Sequence, residues 1–172
     1  MVQKEKAGFS GGLRLSDKFS ARRQTLELGE LILKQIYPNA AIKILAGLNE
    51  SDFMVEHANR QYLYDMKIRA QNYNDILLEL GSLSDTGQFS LGWLFKHPEW
   101  WTLYVFERSG LWCIWQNKDL IFRIKQGPIR VNELVPSRKG NANYTTLSIA
   151  FPCEALERVP TWISGNWKSP EW

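Results

Sequence analysis

The rhythm of apolar and polar positions changes several times along the chain, and each change predicts an element. Residues 16–36, SDKFSARRQTLELGELILKQI, carry Phe19, Leu26, Leu31, Leu33 and Ile36 at roughly helical spacing. Ser16 suits the N-cap and Asp17 the first turn, and Tyr37-Pro38-Asn39 stops the helix. Residues 41–46, AIKILA, read as a strand, and GLNES follows as a loop. DFMVEH and QYLYDMKIR are rich in residues that favour a pleated, half-buried surface, and the polar turn around Ala58-Asn59-Arg60 joins them as a hairpin. Residues 74–82, NDILLELGS, form an apolar strand that holds one acid, Glu79. Residues 83–101 begin polar and turn aromatic toward LGWLFKHPEWW, read as an aromatic strand after Gly92-Trp93. TLYVF and LWCIW flank ERSG, with Gly110 suiting the turn of a second hairpin over 102–116. NKDLIFRIKQ, 117–126, fits a short helix or strand. The remainder is loop-rich: PSRKGNANYTT, a short strand TLSIAF, and the tail VPTWISGNWKSPEW. Residues 1–15 show three glycines, scattered Lys and Arg and little periodicity, which predicts a flexible basic arm ahead of a single domain spanning 16–172.

Composition agrees with one domain. The 172 residues are 44% hydrophobic and 13% aromatic, enough for one core and unlike a disordered chain. A net charge of +3 permits a nucleic-acid partner without demanding one. No apolar run approaches a membrane span and the N-terminus does not read as a signal peptide, so the expectation is an intracellular, cytoplasmic protein. Cys113 and Cys153 lie far apart, without a CxxC pattern, and read as free thiols. His57 and His97 are the only histidines, which argues against a zinc site.

The chemistry concentrates in SDFMVEHANRQYLYDMK, residues 51–67. Side chains alternate along a strand, so Asp65 and Lys67 share a face. Pairing in register around the turn brings Asp52, at the start of the first strand, beside them. Hard cations such as Mg²⁺ take carboxylate oxygens, and an ammonium offsets the charge that builds up in phosphoryl transfer. This Asp52-x12-Asp65-x-Lys67 hairpin, preceded by a helix and a strand, resembles the PD-(D/E)xK nuclease superfamily, with Ser51 in place of the motif's Pro.

The resemblance covers about residues 16–116 and implies an α/β fold with a restriction-endonuclease-like core, a mixed central β-sheet flanked by helices. It implies a Mg²⁺-dependent endonuclease acting on DNA, of homing, restriction or junction-resolving type, with Mn²⁺ able to substitute. Asp52 and Asp65 would hold the metal, with the backbone carbonyl of Met66 as a further ligand, and Lys67 would orient the attacking water. Glu30 on the first helix would complete the outer shell, with Glu27 beside it able to exchange roles. Glu79 leaves a second arrangement open, with Asp65 and Glu79 as the metal pair. Two-strand cutting implies a homodimer or higher homo-oligomer.

Arg138 and Lys139, next to Gly140, suit a loop that meets a phosphate backbone. Lys96 and His97 are placed to face phosphate, although His97 before Pro98 reads first as a loop residue and not as a general base. Trp112 and Trp115 fall on opposite strand faces, so at least one belongs to the core. The rival class is a nucleic-acid-binding or mobile-element interaction protein without catalysis.

Overall fold

The computed structural model describes residues 15–45, 51–69, 75–126, 134–137 and 144–167. The expected basic arm over 1–15 lies outside them except for Leu15, as do Arg138 and Lys139 and the last tryptophan, Trp172.

Helix α1 (Leu15–Ile36) opens the described chain and leads into β1 (Ala41–Ile44), β2 (Phe53–His57) and β3 (Arg60–Arg69). Then come β4 (Asp75–Ser84), β5 (Phe89–Leu91), the single turn α2 (Trp93–Lys96), β6 (Trp101–Phe106) and β7 (Leu111–Gln116). The chain continues with α3 (Asn117–Lys125), β8 (Leu134–Ser137), β9 (Tyr144–Pro152), α4 (Cys153–Leu156) and β10 (Ile163–Asn166). The first sheet has the order β1-β2-β3-β6-β7-β10. It is mixed and mostly antiparallel, with β3 and β6 running parallel. A separate four-stranded antiparallel sheet has the order β5-β4-β9-β8.

The β2–β3 hairpin is as tight as its sequence suggests. Ala58 and Asn59 both take left-handed φ, 51° and 61°, the backbone of a two-residue turn that matches strand twist. His57 therefore faces Arg60, and the ladder runs back to Phe53 opposite Tyr64.

Each side of the first sheet buries a different core. Against α1 lie Phe53, Val55, Tyr64, Met66, Leu103, Val105, Trp112 and Ile114, closed by Ile32 and Leu33. The other side packs Tyr104, Phe106, Cys113 and Trp115 against Ile76 and Leu78 of β4, Phe151 of β9, Leu94 of α2 and Leu120 of α3. Alternation thus sends Trp112 and Trp115 into opposite cores, and both are buried.

Three expectations change. The apolar face of α1 is built on Gly29, Ile32, Leu33 and Ile36, whereas Leu31 is 48% exposed. At about 100° per residue, Leu31 points nearly opposite Gly29. The aromatic run after Gly92 forms the turn α2 before reaching β6, because Gly92 takes carbonyl-capping bonds from Phe95 and Lys96. The strand holding Glu79 leaves the central sheet and pairs with β5 and β9.

Candidate functional site

The hairpin register fixes the heart of the site. Phe53 pairs with Tyr64, so one further step along the same register sets Asp52 opposite Asp65. The pairing continues in part: the Asp52 N–H donates to the Tyr64 carbonyl at 2.8 Å. Beyond that point β2 has not yet begun, and the Asp52 side chain stands in for it. Its Oδ2 accepts the Met66 N–H at 2.8 Å. A residue's N–H and C=O leave a strand along the same edge. The Met66 carbonyl therefore projects from the edge that Asp52 occupies.

Asp65 and Lys67 share the face of β3 opposite to buried Tyr64 and Met66. Lys67 Nζ lies 2.6 Å from Asp65 Oδ2. Asp65 Oδ2 is buried, with the Lys67 ammonium as its close partner. Burial pushes the Asp65 carboxyl above its ordinary value, and the Lys67 ammonium offsets only part of this. The Asp52 carboxylate pushes it the same way as burial, while His97 acts against them. Asp65 thus feels Lys67, Asp52 and His97 at one end of the sheet. Trp93 joins them, with its ring 5.0 Å beneath the Lys67 ammonium.

The helix candidates separate. Glu27 lies on the outer side of α1, 57% exposed and paired with Arg23 at 2.9 Å, so it does not exchange roles with Glu30. Its position two residues before Gly29, the point where α1 touches the sheet, turns it away. Glu30 flanks that contact point, half-buried, and its carboxylate pairs with Lys34 at 2.6 Å. On β4, Ile76 and Leu78 face the core, so Glu79 belongs to the opposite face of that strand. The grouping that forms is Asp52 with Asp65, and Glu79 is not part of it. Lys96 ends α2, exposed, immediately before His97.

His97 is more firmly built in than its sequence context suggested. Its ring stacks on Trp100 with centroids 3.7 Å apart and planes 7° from parallel. No residue spacing signals this, because the contact depends on how the loop between α2 and β6 folds back.

Among the described residues, no three His, Cys, Asp or Glu side chains gather closely enough to form a metal cage. Mg²⁺ needs no such cage, since it retains several waters and commonly takes one or two carboxylates. Asp52 and Asp65, opposite one another in the extended hairpin register, with the Met66 carbonyl on the Asp52 edge, fit that preference. No described helix is long and apolar enough to cross a membrane. No family model, curated protein or solved structure matches the chain significantly.

Proposed function

We propose that the chain is a Mg²⁺-dependent endonuclease with a restriction-endonuclease-like core that hydrolyses DNA phosphodiester bonds. The observation that carries this reading is the meeting of Asp52 and Asp65 across the β2–β3 hairpin, with Lys67 on the face of Asp65. The order α1, β1, β2, β3 followed by a crossover to parallel β6 supports it.

Asp52 and Asp65 would hold the cation with the Met66 carbonyl. A divalent ion held there would supply charge neutralisation at phosphate and lower the pKa of a water. Lys67, already turned toward Asp65, would orient an attacking water and offset negative charge that builds up at phosphate. Trp93 beneath its ammonium limits where the side chain can swing. The burial that disfavours ionised Asp65 also keeps bulk water from competing for it. Glu30 lies on α1, against the sheet face opposite Asp65 and Lys67, and pairs with Lys34, so we assign it no outer-shell role. Two strands call for two such sites, and a symmetric dimer supplies them.

The test is supercoiled plasmid incubated with protein in Mg²⁺ or in EDTA. We expect metal-dependent nicking that falls by at least about 10²-fold in Asp65→Ala and Lys67→Ala, the usual scale for removing electrostatic stabilisation of a transition state. Equal nicking by Asp65→Ala would overturn the reading. A second reading, nucleic-acid binding without cleavage, is favoured by the exposed Lys96 beside the His97–Trp100 stack. It is distinguished by retained binding with no cutting under any divalent metal.

A further inference from the structure

The loop between α2 and β6 is held by polar groups in the core, where polar groups are costly unless paired. Thr102 and Asn117 are both fully buried. Thr102 is the register partner of Asp65 on the parallel pair β3–β6. Its hydroxyl donates to Asn117 Oδ1 at 2.7 Å, and Asn117 Nδ2 donates to the His97 carbonyl at 2.9 Å. The first turn of α3 completes the clamp. The Asn117 N–H donates to the Trp100 carbonyl at 2.9 Å and the Lys118 N–H to the Pro98 carbonyl at 2.8 Å. Residues 97–100 are thereby fastened from the strand position beside Asp65 through to α3, and His97 is pressed flat on Trp100. From the other end, the His97 N–H donates to the carbonyl of Trp93, the residue under Lys67. Purely apolar packing would cover this end of the core without a buried hydroxyl–amide pair. What the pair adds is a fixed position for the loop.

We propose that His97 contacts the nucleic acid at this site: its imidazole, fixed against Trp100 by the Thr102–Asn117 pair and with Nδ1 3.8 Å from Glu99 Oε1, offers its Nε2–H to a backbone phosphate of the strand lying across Asp65 and Lys67. Thr102 and Asn117 are positioning residues that act through His97. The choice of ligand rests on the nuclease reading, but the inference is tested by binding and not by cutting.

The experiment follows a short fluorescein-labelled DNA duplex by anisotropy at low salt in EDTA, where no metal-dependent cleavage occurs. Variants are His97→Phe, which keeps a flat ring for Trp100 and removes both nitrogens, and His97→Ala. Thr102→Val keeps side-chain shape and removes the hydroxyl, and Thr102→Ser keeps the hydroxyl. Thermal melts accompany each variant. We expect His97→Phe and His97→Ala to weaken binding about tenfold, the scale of one hydrogen bond to a charged group. Thr102→Val should weaken it severalfold, with Thr102→Ser restoring nearly all of it. In the His97→Phe background, Thr102→Val should have no further effect on binding, which a purely structural role would not produce. Wild-type affinity in a folded His97→Phe or His97→Ala overturns the inference, and if the wild type still nicks plasmid the nuclease reading survives. His97-dependent binding without nicking keeps the inference and removes the nuclease reading. No binding by the wild type removes the inference, and plasmid nicking then decides the nuclease reading separately.

Discussion

Asp65 is where burial and charge pull against each other most directly. Burial raises its pKa above the ordinary 3.8, so the folded protein holds the proton more tightly than the unfolded chain does. The contribution of this group to stability is therefore fully present below 3.8 and is lost as pH rises through the folded value. Asn in its place needs no ionisation. We expect Asp65→Asn to melt above the metal-free wild type at neutral pH, with the gap closing as the solution is acidified toward 3.8. Thermal melts across that range read it directly, and a gap that is constant with pH would contradict the burial argument. Added Mg²⁺ should raise the wild-type melting temperature and leave Asp65→Asn unmoved, since a ligand stabilises only the state that binds it. Lys67 belongs to the same balance. Lys67→Met leaves a buried carboxylate without its nearest cation, so it should destabilise, and Asp65→Asn in the same chain should recover most of the loss.

At the scale of elements, α1 and the hairpin set the site's geometry together. A Cβ at Gly29 would meet Phe53 Cζ at 2.5 Å and Met66 Sδ at 2.6 Å. The helix is thus seated on the residue whose N–H Asp52 holds. Gly29→Ala gains up to about 1 kcal/mol of helix propensity but overpacks by typically about 1–3 kcal/mol. We expect a net loss of stability in denaturant titrations, partly relieved by Phe53→Leu. A stabilised Gly29→Ala would show that the helix sits further off. The turn offers an independent check. Ala58 holds a left-handed φ that Asn tolerates better, so Ala58→Asn should stabilise by up to about 1 kcal/mol.

These elements also show what was legible in the chain. Alternation and the Ala58-Asn59 turn were enough to bring Asp52 to Asp65 and to turn Lys67 the same way, because a tight turn leaves little freedom of register. Spacing alone puts Leu31 on the apolar face of α1, but the leucine-rich stretch around Gly29 gives two competing stripes and only packing on Phe53 and Met66 chooses between them. The departure of β4 into a second sheet depends on pairing with β9, far along the chain, which no local pattern encodes.

On the scale of the whole molecule, the first sheet is shared by both cores, so neither can be lost alone. Leu103 fills the core under α1 and Leu78 the core between the sheets, and both are fully buried. Leu→Ala at either position should cost about 2–5 kcal/mol. We expect both variants to lower one common transition in calorimetry, seen alike by tryptophan fluorescence and far-UV circular dichroism. A melt that splits into separate steps in either variant would mean that the layers unfold independently. The site sits where this shared sheet meets α2 and the His97 loop, so its parts are anchored in both cores.

The central claim is that Asp52 and Asp65 share one divalent ion, and crystals soaked in Mn²⁺ test it most directly. We expect an anomalous peak between the two carboxylates, about 2.0–2.4 Å from an oxygen of each, the span of hard-cation contacts, and its loss in Asp65→Asn. Fully loaded crystals with no peak there, or with manganese bound by other residues, would contradict it.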